Sequence, residues 1–216
     1  MKSRSMDKAW AEFIAHVQPN ELQTEQFEKY ADYLLSCNEQ FNLTAITDVP
    51  GVVRQHFEDS VALGKFMDLS KVTTIADIGT GAGFPALPLK IMYPHLKVIL
   101  IEVTQKKQQF LHDTIQLLGL TDVEICGLDW RTFVRNSDFN IDLFITRAAL
   151  ADLELIRMYR AACPYNKAQL VYWASKDWEP HTKAVPLIQR IETYRIGHKD
   201  RRLVFMAPQP VVSQTA

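Results

Sequence analysis

Asp77-Ile78-Gly79-Thr80-Gly81-Ala82-Gly83 sets one carboxylate ahead of three glycines at alternate positions, between an apolar run and an amphipathic one. Glycines let a chain turn tightly and let a ligand lie close against the backbone, and the first turn of a following helix offers free amide donors. Such a loop is suited to a nucleoside cofactor. Two patterns overlap in it. Read from Gly81, the segment Gly81-Ala82-Gly83-Phe84-Pro85-Ala86 fits the relaxed dinucleotide form G-x-G-x-x-A, whereas from Asp77 the run is D-x-G-x-G-x-G, the form of S-adenosylmethionine enzymes. In the frame from Gly79 the third dinucleotide glycine falls on Phe84, whose ring would obstruct a pyrophosphate. S-adenosylmethionine has no phosphate but carries an ammonium and a sulfonium, which a carboxylate at Asp77 attracts. The flanks favour S-adenosylmethionine; a dinucleotide or a purely structural glycine turn are the alternatives.

Further candidates lie downstream. Glu102 ends the next apolar run, where it would take both ribose hydroxyls of either cofactor. Leu128-Asp129-Trp130-Arg131 reads as a loop that puts a backbone amide and Trp130 against an adenine, with burial of Trp130 in the core an equal alternative. Arg147, in Thr146-Arg147-Ala148, falls at a strand's carboxyl end, where parallel sheets bind ligands, and is read as functional rather than as a surface ion pair. No N/D-P-P-Y/F tetrapeptide follows that strand, and no nucleophilic cysteine adjoins it. This suits methyl transfer to an atom with an available lone pair, such as guanine N7, where alignment in a dry pocket does most of the work.

The elements that must position these residues are legible as periodicities. Before residue 60 the pattern is helical: Trp10, Phe13, Ile14 and Val17, then Leu22, Phe27, Tyr30, Leu34 and Phe41, with a third helix from about Pro50 to Met67. From residue 72 short apolar runs alternate with amphipathic ones, the signature of βαβ units. Strands are expected at 73–78, 97–101, 123–126, 142–146 and 168–173, and helices at 85–92, 104–118 and 152–162. Arg190–Ile196 and Arg201–Ala207 flank a Gly197-His198-Lys199-Asp200 turn and predict a closing antiparallel hairpin. The fold class expected is α/β: a Rossmann-like, class I methyltransferase sheet, parallel with an antiparallel last strand, over residues 69–216. An N-terminal helical extension, residues 1–68, would pack on it.

Composition bounds the rest. With 216 residues and 47% apolar content the chain has enough core to fold without staples. Cys37, Cys126 and Cys163 show no CxxC spacing, which speaks against a disulfide framework or a zinc site and for a reducing compartment. No stretch approaches the roughly 18 apolar residues of a membrane span, so a soluble, cytoplasmic protein with no metal is expected. The net charge of −1 conceals polarity: residues 1–60 hold 5 Lys+Arg against 10 Asp+Glu, and the remainder 19 against 15. That leaves room for a local basic surface despite the near-zero total.

Several motifs together resemble one family, the bacterial 16S rRNA guanine-N7 methyltransferases called RsmG or glucose-inhibited division protein B. They are Phe41-Asn42-Leu43-Thr44-Ala45-Ile46, His56-Phe57-Glu58-Asp59-Ser60, the loop from Asp77 through Pro85, Thr146-Arg147-Ala148 and Lys176, within a likeness running from about residue 20 to 206. The first two are the specific part, since the glycine loop is shared widely. The resemblance implies cofactor contacts at Gly79, Phe84, Trp130, Arg131 and Arg147, beside the Asp77, Gly81 and Gly83 of the loop, with Glu102 on the ribose. It implies S-adenosyl-L-homocysteine as the product and, as partner, 16S rRNA, free or in a 30S particle, bound by a monomer. Glu102 stands where the family usually has Asp, Asp129 where it has Arg, and Gln55 separates His56 from Arg54. For RNA, charge alone points to Lys106, Lys107, Arg131, Arg195, His198, Lys199, Arg201 and Arg202, and the resemblance adds Lys176. For His56 and Asp59 the alternatives are a hydrogen-bond pair fixing the N-terminal helices to the sheet and a role at the base pocket. A small-molecule or protein methyltransferase, or a non-catalytic assembly module, would be the competing functions.

Overall fold

A computed structural model describes residues 4–147 and 149–208, so Ala148 of the expected Thr146-Arg147-Ala148 motif lies outside the described residues. Five strands run parallel: β1 (Thr74–Ile78), β2 (Lys97–Ile101), β3 (Val123–Cys126), β4 (Leu143–Arg147) and β5 (Gln169–Ser175). β7 (Lys199–Met206) joins β5 antiparallel, and β6 (Ile188–Ile196) pairs with β7. The order is β3-β2-β1-β4-β5-β7-β6, so the direction of winding changes between β1 and β4. A crevice opens at the carboxyl ends of strands at such a point. The expected four-residue hairpin turn is shorter, Gly197 and His198 only, because the ladder continues to Ile196–Lys199.

Alternate residues of the central strands feed two cores. Ile75, Val98, Leu100, Leu143 and Ile145 face one layer, while Ala76, Ile78, Ile99, Ile101 and Phe144 face the other. Strands buried on both faces need continuous apolar sequence, which is why they were readable.

The first layer holds α1 (Arg4–Val17), α2 (Glu21–Asn38), α5 (Ala86–Met92) and α6 (Gln105–Leu118). An Asn20–Gln23 capping box starts α2. Its glutamines then serve two other helices: Gln23 donates to the Ile91 carbonyl at the end of α5 (2.9 Å), and Gln26 to the Leu118 carbonyl at the end of α6 (2.8 Å). Those carbonyls have no partner within their own helices, so α2 is fixed by the demand of two helix ends.

The predicted helix at 50–67 is broken into α3 (Val49–Val52), a π-helical turn (Val53–Glu58), α4 (Asp59–Val61) and a 3-10 turn (Ala62–Lys65). Wide turns of this kind recur at functional sites because they re-aim side chains. The expected helix at 152–162 is likewise only α8 (Asp152–Leu155) and a 3-10 turn (Ile156–Tyr159). Conversely, α7 (Trp130–Asn136) stands where a loop was expected: Asp129 caps it by accepting from the amides of Arg131 (2.9 Å) and Thr132 (3.1 Å). Phe41 lies beyond α2, and Lys106 sits 5.8 Å from its ring centroid.

Candidate active site

Asp77 is fully buried near the carboxyl end of β1. Its Oδ2 accepts from Thr80 Oγ1 (2.7 Å) and from the Ala86 amide at the start of α5 (3.2 Å), while Oδ1 has no partner. Burial pushes this carboxyl up to about 7, against the pull of those two hydrogen bonds and of Arg147. A buried acceptor without a donor is costly unless a ligand supplies one, and a cationic ligand would also restore the charged form. Gly79, Gly81 and Gly83 all have positive φ, and the amides of Gly79 (2.9 Å) and Thr80 (3.2 Å) tie the loop to the Ile101 carbonyl. At Gly79 the need for glycine is twofold, since φ is +65° and a Cβ would lie 2.5 Å from the Cβ of Ala149.

Glu102, 6% exposed, is joined to this loop. Its Oε2 accepts from the Gly81 amide at 3.1 Å and its Oε1 from the Thr104 amide at 2.9 Å, with Lys107 Nζ at 4.0 Å. The carboxylate is thereby held beside the glycine loop, just past the carboxyl end of β2. Trp130 is only 5% exposed: its ring packs against Phe133 and Phe144, and Nε1 donates to the Glu154 carbonyl at 2.9 Å. That environment is the core alternative for its side chain. The Arg131 side chain turns to Glu154, and its amide is taken by Asp129.

Arg147 anchors the other side. Nη1 donates to Asp59 Oδ2 (3.0 Å) and to the Gln55 carbonyl (3.2 Å), and Nη2 donates to His56 Nδ1 (3.0 Å). An arginine has only donors, so Nδ1 accepts, and the proton sits on Nε2, which donates to Thr44 Oγ1 at 2.8 Å. Burial, reinforced by Arg147 and Arg201, holds His56 down at about 3, a neutral ring at working pH. His56 stacks on Phe84 (4.3 Å between centroids, 8°), Tyr30 also stacks on Phe84 (5.3 Å), and the Arg147 guanidinium stands 5.2 Å from that ring. Phe84, which argued against a pyrophosphate, is thus the centre of an aromatic and cationic wall beside the loop. Arg147 is not a surface ion pair.

Asp59 holds this wall to the sheet. It is 1% exposed; Oδ1 accepts from Tyr194 OH (2.7 Å) and lies 3.6 Å from Arg201 Nε, and its backbone carbonyl accepts from Trp173 Nε1 (2.9 Å). His56 and Asp59 are joined through Arg147 rather than directly, and Asp59 ties the N-terminal segment to the sheet through Trp173 and Tyr194. Tyr194→Phe removes one charge-assisted hydrogen bond from a buried carboxylate, an expected loss of about 1.5–3 kcal/mol in denaturant unfolding. Tyr30, Trp173 and Tyr194 were not singled out from sequence as site residues; each joins the cluster over a long sequence separation and carries no local motif, whereas Thr44, within the Phe41–Ile46 motif, meets His56 twelve residues on.

The basic residues divide. Arg201 has its Nε buried, 3.6 Å from Asp59 Oδ1, with the side chain as a whole 28% exposed. Arg202 donates to the Trp178 carbonyl (3.2 Å). Lys176 and Arg195 both approach Asp200 (3.7 and 3.9 Å), and Lys199 donates to Gln55 Oε1 (2.5 Å). Lys106 and Lys107 flank the Glu102 side of the crevice.

Comparison with known proteins adds an independent line. The family model described as rRNA small subunit methyltransferase G (GidB) matches residues 23–192. The protein named ribosomal RNA small subunit methyltransferase G of Exiguobacterium sibiricum is 40% identical over 161 residues, 74% of this chain and 66% of that one. Its namesake in Geobacillus kaustophilus is 45% identical over 125 residues, covering 57% and 52% respectively. The aligned part of the chain thus spans about half to two thirds of the length of these curated relatives. Among solved structures, a SAM-dependent methyltransferase from Aquifex aeolicus superposes with a TM-score of 0.53 at 17% identity, covering 80% of this chain and 98% of that one. MtNAS in complex with MTA and tNA superposes at 0.57 and 16% identity, covering 84% and 69%. At such identities the likeness bears on the fold, which is that of class I methyltransferases.

Proposed function

Because the chain belongs to the rRNA small subunit methyltransferase G family, we propose that it methylates N7 of a guanosine in 16S rRNA at the expense of S-adenosylmethionine. The observation that carries the cofactor part of this reading is the unpartnered, buried Asp77 Oδ1 at the start of a glycine loop whose Gly81 amide is held by Glu102. Residues 69–216 are the cofactor fold in this reading, and residues 1–68 a helical extension that completes the crevice.

When bound, S-adenosylmethionine would supply a methyl group activated on a sulfonium: the lone pair of a ring nitrogen bonds to the methyl carbon in line while the carbon–sulfur pair stays on sulfur, leaving S-adenosylhomocysteine. The chain's own residues then have positional work. Asp77 balances the ammonium, the Gly79–Gly83 loop lets the methionine part lie against the backbone, and Glu102 accepts from the ribose hydroxyls. Trp130 limits the adenine side through its backbone. Phe84, stacked between His56 and Tyr30, closes one wall against water, and Arg147 is a positioning residue that holds this wall in place. No side chain here needs to remove a proton, since N7 already exposes its lone pair.

One consequence is a pH dependence of cofactor affinity. The Asp77 pKa of about 7 stands above the ordinary 3.8, so its contribution to the free protein's stability is complete below 3.8 and is lost as pH rises through 7. Cation binding needs the ionised form. Affinity for S-adenosylmethionine should therefore rise between pH 6 and 8 by up to about tenfold and then level. Calorimetric titration across that range checks it, and Asp77→Asn should bind weakly with no such rise.

The function itself is tested by methyl transfer from labelled S-adenosylmethionine to rRNA lacking the modification, with naked 16S rRNA and 30S particles offered separately. Incorporation into at least one is expected. None into either, with cofactor binding intact, would leave a binding module.

A further inference from the structure

A second basic feature lies apart from the Asp77 crevice. Arg131 and Arg135 are four residues apart on α7, and Arg157 and Arg160 are three apart on the 3-10 turn after α8 and its end. These spacings put each pair on one face. All four residues line a single cavity of about 240 Å³, together with Val134, Ala162 and Cys163.

The cavity is organised by one carboxylate. Glu154 receives Arg131 through Nε and Nη2 (2.9 and 3.0 Å) and Arg157 through Nε and Nη2 (2.7 and 3.0 Å), so both of its oxygens are occupied and both forks are held still. Arg135 Nε donates to the Arg131 carbonyl at 2.9 Å. Among the described residues neither Arg135 nor Arg160 forms an ion pair. Asp129, the cap of α7, is a second acid near Arg135. Four positive groups against these two acids leave a surplus of about two charges around a concave, partly apolar space. With Arg131 and Arg157 both turned to Glu154, Arg135 and Arg160 are the guanidiniums left to meet the oxygens of a phosphodiester.

Its location gives the feature a use. α7 and α8 leave the carboxyl ends of β3 and β4, the edge that carries the Asp77 loop, and Arg131 and Glu154 stand in their first turns. We propose that this arginine cavity seats a backbone phosphate of the substrate RNA strand away from the methylated base. The inference rests on the rRNA reading above and extends it with a contact surface on α7 and the 3-10 turn. It also gives Arg131 a use other than the cofactor contact expected of it.

The test uses the full chain and 16S rRNA in filter-binding titrations over a range of salt. Arg135→Ala with Arg160→Ala should weaken rRNA binding on the order of tenfold near physiological salt and make the salt dependence shallower by about two released ions. Affinity for S-adenosylmethionine and the melting temperature should stay as in the parent. Arg135→Lys with Arg160→Lys should recover most of the salt dependence, because the charge is kept. Unchanged rRNA affinity and salt slope in the alanine pair would overturn the proposal. So would binding of inorganic phosphate that the alanine pair loses while rRNA affinity holds, which would mark a site for free anions. A parent protein that neither binds nor methylates rRNA refutes the functional reading instead, whereas a parent that does both beside an unaffected alanine pair refutes only this surface.

Discussion

Gly79→Asp should abolish measurable S-adenosylmethionine binding, a loss of more than about a hundredfold, while the protein still folds. Three costs coincide at this position. The backbone is left-handed at φ +65°, which a side chain destabilises by roughly 1–2 kcal/mol. The new Cβ would meet the Cβ of Ala149 at 2.5 Å, an atom fixed directly to the backbone, so the loop itself must move. Finally, the added carboxylate would enter a turn that already holds Asp77 and Glu102. Gly119→Ala is the matched control: its φ is +61°, and a Cβ there meets nothing within 4 Å. It should cost roughly 1–2 kcal/mol of stability and leave cofactor affinity alone. Isothermal titration of both variants separates backbone strain from obstruction of the site. A Gly79→Asp protein that binds within threefold of the parent would refute the loop assignment.

Arg147→Ala carries the largest expected effect on stability. The buried Asp59 carboxylate would keep Tyr194 but lose its close cationic partner, with Arg201 Nε no nearer than 3.6 Å. Leaving one member of a buried pair uncompensated costs about 3–5 kcal/mol. His56 Nδ1 loses its donor in the same step, so the wall around Phe84 loosens. Urea unfolding should show the loss, and Asp59→Asn added to Arg147→Ala should return part of it. If the two substitutions cost the same separately and add, Arg147 and Asp59 are not coupled.

How much of this was legible in the sequence follows from the range of the interactions. The glycine loop, Asp77 and Glu102 lie within one strand-loop-strand stretch, so type and spacing sufficed to find them. Strands buried on both faces were equally open to reading, as with Val98 to Ile101. Element ends were less so. Asp129 was noticed as a departure from a family pattern, yet its physical role is to cap α7, and a cap is hard to tell from a loop residue without the helix. The π turn at Val53–Glu58 has no sequence marker, because the widened ladder is set by what packs on it. Tyr194 and Trp173 reach Asp59 from 135 and 114 residues away. Such partners leave no local pattern. For the same reason Arg201 looked like surface charge when counted along the chain, whereas in the fold it is a neighbour of a buried carboxylate.

The central claim concerns which atom receives the methyl group, and one measurement addresses it directly. Undermethylated 16S rRNA, free or in 30S particles, is incubated with the protein and labelled S-adenosylmethionine, then digested to nucleosides and resolved by chromatography with mass detection. Label is expected in 7-methylguanosine and is lost with Gly79→Asp. Label in any other nucleoside, or label in 7-methylguanosine that survives Gly79→Asp, would contradict it.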